Sequence, residues 1–333
     1  MVLYITEQGA VLSKSEGRLL VTKNGQNIAE VPLNKIERVN ILGNISLTTQ
    51  IINYFLDHGV DVVFMTQHGK YRGKLYTDGD WNVFLRLKQY EKSTDEAFRL
   101  KMAKSIVKGK LRNYYDFLLS RSRRMTKGAL SEQLAAIRKS IEKAGSAKDI
   151  DEVRGHEGIG SRYYFQGLSK ILKREDFNFE GRTAHPPKDP VNSMLSFGYH
   201  FLYNELLAAI NAVGLDPYFG NLHTIDVSKK SLLFDLVEEF RCIIIDNFVL
   251  TLLNRQMIKP EHFQVIDEGI IHFTDEGLKT FISRYEEFMS KKMTYHLDGE
   301  ENYIRTVFEK QARHYARVVM DEEEEYVPYY KPE

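Results

Sequence analysis

The stretch from Ser231 to Leu250 most constrains how this 333-residue chain can fold. It is apolar on nearly every face of a helix, yet carboxylates interrupt it at Asp235, Glu238, Glu239 and Asp246. A helix of that kind belongs in a core, where an ionised carboxylate without a partner is very costly. An arginine or a divalent cation would neutralise these charges. Which of the two serves each acid is therefore the first question about function. Asn221-Leu222-His223 stands just ahead of the run.

Charge is balanced overall, with 46 Lys plus Arg against 46 Asp plus Glu, so net charge predicts no polyanionic partner. Its distribution is uneven. From Arg99 to Lys127 there are ten cations and one acid, Asp116, whereas Asp321 to Glu325 are five consecutive acids. That segregation predicts a basic surface in mid-chain and an acidic C-terminal tail. The single cysteine, Cys242, excludes an intrachain disulfide and favours a reducing compartment. No signal peptide pattern opens the chain. Its longest apolar run, Ile243 to Leu253, is too short and too polar to span a bilayer. The expectation is a cytoplasmic, soluble protein with no membrane partner.

Residues 2–84 read as β. Short β-rich runs occupy 2–6, 17–22 and 27–33, with Asn24-Gly25 as a hairpin turn between the second and third. A helix is expected over 48–58, a buried strand over 60–65 and a hairpin over 69–76. No cluster of catalytic residue types falls here, which points to assembly or orientation. From Thr94 the period changes to 3.6, and no convincing strand follows until 263–271. The expected fold class is α+β multidomain. A β-rich dimerisation domain (1–88) precedes a larger all-α catalytic domain (89–320), and 321–333 form the tail.

The first long helix carries an apolar stripe from Phe98 through Met102, Ile106, Val107, Leu111, Tyr114 and Tyr115 to Leu118, with cations on its other face. So one-sided a charge pattern reads either as a solvated surface or as a phosphate-binding ridge. Glu157 sits among glycines just ahead of an aromatic helical run, where glycine permits close approach. Asp235 and Glu238, three apart, share a helical face. His223 in the preceding loop can fold back over that face. With one carboxylate from another segment this becomes a nitrogen and oxygen site, suited to Mg²⁺ or Mn²⁺ and not to structural zinc. Glu157, Glu205, Asp189 and Asp226 all compete as the additional ligand, and spacing does not choose among them. Pairing of Glu238 or Glu239 with Arg241 or Arg255, and His223 as an ordinary hydrogen-bonded loop residue, stay open.

Several spaced motifs then occur in one order: Gly155-His-Glu157-Gly with Tyr164-Phe165, Asp189-Pro-Val-Asn192 to Tyr199, Gly214-Leu-Asp-Pro-Tyr-Phe-Gly-Asn-Leu-His223, Ser231 to Arg241, and a late Gln311-Ala312-Arg313. Over the whole chain this pattern resembles the CRISPR-associated endonuclease/integrase of the spacer-acquisition module, the Cas-one family. The resemblance implies that Glu157, His223 and Glu238 are metal ligands, with Asp235 an acidic neighbour in the catalytic site. It implies a homodimer formed largely through the N-terminal domains and a hetero-oligomer with the small Cas-two partner. It also implies insertion of spacer DNA into a repeat array by attack of a 3′-hydroxyl, cleavage of double-stranded, single-stranded and branched DNA, and a role in antiviral defence. Lys101, Lys104, Lys108, Arg112, Arg162, Lys229 and Lys230 are the candidate DNA contacts. The chain departs from the family at Ser228-Lys229-Lys230, where Gly-Arg is common, and at Gly160-Ser161, where alanines are common. The alternative is a non-catalytic DNA-binding scaffold subunit whose acids and histidine are paired internally.

Overall fold

The computed structural model describes residues 1–75, 82–172, 174, 176–183, 186–266 and 269–331. The chain divides into two compact units, Met1–Asp80 and Trp81–Glu333.

The first unit contains β1 (Val2–Ile5), β2 (Val11–Ser15), β3 (Arg18–Lys23), β4 (Gln26–Pro32), β5 (Arg38–Leu42), β6 (Ser46–Leu47), α1 (Thr49–Asp57), β7 (Asp61–Met65) and β8 (Tyr71–Lys74). They form two four-stranded sheets, ordered β1-β5-β7-β8 and β4-β3-β2-β6. The Asn24-Gly25 turn joins β3 to β4 with φ of 50° and 77°, the pair of left-handed conformations a tight hairpin needs. β5 pairs in parallel on both sides, with β1 and β7, and Val39 to Leu42 are all buried. A strand covered on both faces reads as a continuous apolar run, which is why its alternation fades. The hairpin expected within 69–76 is instead β7 paired antiparallel with β8, so the segment from Tyr71 supplies one strand. Residue 76 of that expected hairpin lies outside the described residues.

The second unit is mainly helical: α2 (Val83–Thr94), α3 (Glu96–Ser122), α4 (Ser131–Ser146), α5 (Ile150–Ile171), α6 (Pro190–Val213), α7 (Ser231–Val237), α8 (Asn247–Asn254), α9 (Asp275–Met289) and α10 (Ile304–Val319). Two small antiparallel hairpins join them. One is β9 (Phe263–Ile266) with β10 (Ile270–Phe273), and the other is β11 (Lys292–Thr294) with β12 (Glu301–Tyr303). The second hairpin carries no alternation long enough to announce it. Three aspartates start helices as expected of short polar caps: Asp95, Asp149 and Asp189 accept from backbone N–H groups of α3, α5 and α6.

α3 is an interior helix. Gly109, Lys110 and Asn113 are buried along with its apolar stripe, and it packs against α2, α4, α5 and α7. The acid-interrupted helix is not one regular α-helix. α7 gives way to a turn at 238–240 and then to a π-helical turn, Cys242–Asp246, before α8 resumes. Asn247 N–H reaches back five residues to the Cys242 carbonyl. A π turn of this kind re-aims side chains and often marks a functional site.

The acidic C-terminal segment folds back onto the helical unit. Asp321 pairs with Lys88 at 3.3 Å and Lys92 at 2.5 Å, and Lys101 Nζ donates to the Glu324 carbonyl at 2.7 Å. Tyr326 and Tyr329 are buried. Two tyrosines at this spacing supply apolar anchors, and Asp321 neutralises two lysines of α2, so the segment is a strap and not a solvated tail.

Candidate active site

Asp235 is wholly buried in α7 and turned towards the loop before it. Its carboxylate accepts from the backbone N–H groups of Asn221 (2.5 Å), Leu222 (2.9 Å) and His223 (2.9 Å), and from His223 Nδ1 (2.8 Å). An ionised carboxylate can only accept, so Nδ1 carries the proton and the imidazole lone pair lies on Nε2. The chain can approach this closely because position 220 is glycine. A Cβ there would stand 2.6 Å from Asp235 Oδ2 and 2.6 Å from Leu232 N. Three consecutive amides and one ring nitrogen thus fix the loop on a single acid.

Glu157 lies within α5, two turns from its start, so the flanking glycines do not break the helix. Gly160 faces α3, where an added Cβ would come within 2.4 Å of Leu111 Cδ2. That approach brings Glu157 to Lys110 on the neighbouring turn of α3. Lys110 Nζ contacts Glu157 Oε1 and lies 2.5 Å from Glu238 Oε2. Ser161 Oγ donates to Glu157 Oε1 at 2.7 Å. Two carboxylates from segments far apart in sequence therefore meet at the ammonium of one buried lysine, a residue 4% exposed. Glu157 and His223 keep 23% and 27% of their side-chain surface, so the site opens on their side.

Glu238 is nearly enclosed and also faces Arg241, whose Nη2 is 3.2 Å from Oε1. Burial would push its carboxyl up, but the charges of Arg241 and Lys110, with the contact to Lys110, hold it down at about 2. Lys110 is likewise desolvated, and Glu238 and Glu157 together hold its pKa above the ordinary lysine value. The adjacent Glu239 points elsewhere. It accepts from Tyr329 N at 2.6 Å, Gln311 Nε2 at 3.0 Å and the Tyr326 hydroxyl. Burial raises it to about 8 against those hydrogen bonds. Asp246 accepts from Tyr199 at 2.6 Å and Tyr164 at 2.8 Å, and burial raises it to about 6.

The four competing ligands separate cleanly. Glu205 is held by Arg305 at 2.7 Å, Asp189 caps α6 through Asn192 N at 2.8 Å, and Asp226 accepts from Val227 N in its own turn. Only Glu157 is brought to Glu238. Sequence reasoning passed over Lys110, counting it among surface cations, and gave no role to Arg154. Arg154 Nε donates to the Leu222 carbonyl at 2.9 Å and Nη2 to Thr224 Oγ1 at 3.1 Å, tying the helix of Glu157 to the loop of His223. Its place one helical turn before Glu157 was the available signal.

Among the described residues no three His, Cys, Asp or Glu side chains stand close enough together to hold a metal ion. The donor set nevertheless fits one in chemistry. Two carboxylates already converge on a single positive charge, and the third residue is a histidine oriented through its other nitrogen by a carboxylate, the arrangement that supports metal-binding imidazoles.

The candidate DNA contacts are dispersed. Lys108 and Arg112 are exposed on mid-α3, although Arg112 also lies 3.6 Å from Asp116 and stacks over Tyr330. Lys104 is half-buried, Lys101 is engaged by the strap, and Arg121 bonds Asn247. Arg162 is exposed on α5. Lys229 and Lys230 follow Ser228, which holds a left-handed φ of 65°, the conformation glycine adopts without strain. The mid-chain cations therefore form no unbroken ridge, because Lys110 and Arg121 turn inward.

The family model described as CRISPR associated protein Cas1 matches residues 3–287. The CRISPR-associated endonuclease Cas1 1 of Thermus thermophilus is 34% identical over 330 residues, covering 99% of each chain. In fold, a casposase bound to integration product superposes with a TM-score of 0.85 at 24% identity, covering 99% of this chain and 94% of that one. A chain of the Cas6-RT-Cas1–Cas2 complex does so with a TM-score of 0.84 at 22% identity, over 100% of this chain and 36% of that one.

Proposed function

The chain belongs to the CRISPR associated protein Cas1 family, and on that premise we propose that it is a divalent-metal-dependent DNA endonuclease and integrase that inserts spacer DNA into a CRISPR array. The observation that carries this reading is the meeting of Glu157 and Glu238 at one cationic centre, with the His223 loop tied to the helix of Glu157 by Arg154. Glu157, His223 and Glu238 would hold Mg²⁺ or Mn²⁺. Bound there, the ion supplies polarisation of the scissile phosphate and stabilises the charge that builds on its oxygens.

The protein's own residues prepare that chemistry. Asp235 fixes the imidazole tautomer, so His223 presents Nε2 without a rotational search. Arg154 holds the His223 loop against α5, and Ser161 fixes one oxygen of Glu157. An added Cβ at Gly155 or Gly158 would meet nothing within 4 Å, which leaves room beside Glu157 for a sugar–phosphate backbone. Lys108, Arg112, Arg162 and Lys229 would bind phosphates without reading sequence, so affinity would fall steeply with salt. In the transfer the incoming 3′-oxygen bonds to phosphorus as the repeat's own P–O3′ bond breaks, and the released oxygen takes up a proton. With water as the nucleophile the same geometry cuts DNA.

The β-rich unit is the proposed homodimer surface, and a Cas2 protein the proposed partner. The occurrence of a similarly folded chain in a Cas6-RT-Cas1–Cas2 complex supports that partner class. The test is cleavage and strand joining of a branched DNA in Mn²⁺ by Glu157→Ala, His223→Ala and Glu238→Ala, each checked for native circular dichroism. All three should be inactive; retained wild-type activity in all three overturns the reading. A scaffold subunit is the second reading, favoured by the internal pairing of Glu238 with Lys110 and Arg241. Nicking of no DNA by the wild-type protein with Mg²⁺ or Mn²⁺ would select it.

A further inference from the structure

Lys110 is the least expected member of the site. It projects from an interior helix, its head lies 5.5 Å from the Tyr114 ring centroid, and its ammonium stands between two carboxylates from different helical segments. Three of the four carboxylate oxygens already face a cation or a donor. Glu238 Oε1 faces Arg241 and Oε2 faces Lys110, while Glu157 Oε1 meets both Lys110 and Ser161. Two cations thus balance two anions at a site closed around Lys110 and Glu238 and open beside Glu157. A divalent ion shared by Glu157 and Glu238 would add two positive charges at a coordination distance of about 2.0–2.1 Å for Mg²⁺. It cannot bond the same oxygens while the ammonium keeps them.

We propose that Lys110 is a resident cation that neutralises Glu157 and Glu238 together and must be exchanged when a divalent ion takes those oxygens. The inference rests on the assignment of these two glutamates as metal ligands. Lys110 is a positioning residue in this role. Its ammonium holds the two carboxylates together in the metal-free protein, where two anions meeting without a cation would repel and Glu238 in so enclosed a place would be strongly disfavoured. It also sets the metal affinity, because an ion that takes Glu157 Oε1 or Glu238 Oε2 must displace the ammonium from that oxygen. A lysine serves this exchange better than an arginine. It is a compact charge on a flexible stem that can swing away as a unit, whereas a guanidinium fork would grip both carboxylates at once.

Binding of Mn²⁺ alone, without DNA, tests the proposal by calorimetric titration of the full-length protein and by the thermal shift that Mn²⁺ produces. Lys110→Gln and Lys110→Met remove the competing charge. Each should melt below wild type without metal, bind Mn²⁺ at least tenfold more tightly, and gain more in melting temperature when Mn²⁺ is added. A variant that acquires native circular dichroism only with Mn²⁺ supports the exchange equally. Mn²⁺ affinity equal to or weaker than wild type in a folded variant overturns it, and so does failure of both variants to fold even with Mn²⁺. Glu157→Gln separates this outcome from failure of the ligand assignment. If Glu157→Gln leaves wild-type Mn²⁺ binding unchanged, the assignment itself is wrong and the role of Lys110 falls with it. If it abolishes binding while the Lys110 variants match wild type, only the exchange is wrong.

Discussion

The backbone N–H of Tyr329 donates to Glu239 Oε2 at 2.6 Å, so the C-terminal strap ends on the carboxyl group next to Glu238. Asn113 Nδ2 on α3 reinforces this, donating to the carbonyls of both Tyr329 and Glu239 at 2.8 and 2.9 Å. Removing residues 321–333 would leave buried polar groups on two site-bearing segments without partners, at about 1–3 kcal/mol each. Truncation after Met320 should therefore lower stability by roughly 3 kcal/mol or more. Tyr326→Phe, which removes one hydroxyl from Glu239, should cost about 1 kcal/mol. Urea unfolding of the three proteins checks the order: equal midpoints for the truncated and full chains would show that the strap adds nothing.

Arg154 carries a different kind of prediction, because it joins two parts of the site and is itself 36% exposed in its side chain. Its loss should be small in stability, about 1 kcal/mol. Its effect on DNA cleavage should be larger, about tenfold or more, since a shift of the His223 loop of even 1 Å misplaces a reacting group. Arg154→Lys keeps the charge but not the fork that reaches Leu222 and Thr224, and should recover little. Thermal melts beside cleavage rates separate the two effects. A rate loss no larger than the stability loss predicts would refute the tie.

How much of this was legible in the sequence follows from what each residue's partner is. The β-rich start, the helical remainder and the Asn24-Gly25 hairpin are local matters of period and turn chemistry, and they were readable. The buried acids of the apolar helix were also readable as a problem, but not its solution. Asp235, Glu238, Glu239 and Asp246 each found a different partner: a loop backbone, a lysine on α3, a C-terminal strap and a pair of tyrosines. None of these lies at a sequence spacing that marks it; the second partner of Glu238, Arg241 three residues on, does, and its pairing was among the readings left open. Lys110 was different: four residues after Ile106 and four before Tyr114, it falls on the apolar stripe, and only its charge argued for solvent. The acidic end was misread because charge alone predicts solvation, while Tyr326 and Tyr329 supply the burial that ties it down.

Asp246 gives a pH prediction with a definite sign. Burial raises its pKa to about 6 from an ordinary 3.8. The folded state therefore keeps a proton through a window in which the unfolded state has released it. The stability contribution is whole below pH ~4 and is lost as pH rises towards 6. The shift corresponds to an upper bound of about 3 kcal/mol. Asp246→Asn mimics the protonated acid and should remove this slope, gaining about 2 kcal/mol on wild type between pH 4 and pH 7. Urea unfolding at pH 4, 5, 6 and 7 measures the difference between the two proteins. A difference independent of pH would mean that Asp246 does not titrate in that window.

Asp235 should prove a builder of the site, acting through the loop it holds. Four donors converge on its two oxygens: three consecutive amides and His223 Nδ1. Asparagine has the same shape but one accepting oxygen and a donating NH₂, so at least one amide of the loop would face another donor. A buried, unsatisfied pair of this kind costs about 1–3 kcal/mol, and the least costly relief is for the loop to leave. Asp235→Asn should thus cut DNA cleavage about as far as His223→Ala does, while Glu157 and Glu238 keep their contacts with Lys110. Hydrogen exchange distinguishes this from a general loosening. Protection of the amides of Asn221, Leu222 and His223 should collapse towards solvent rates, whereas α5 and α3 remain protected. If those three amides stay protected in an inactive Asp235→Asn protein, the acid acts at the reacting phosphate and not through the loop.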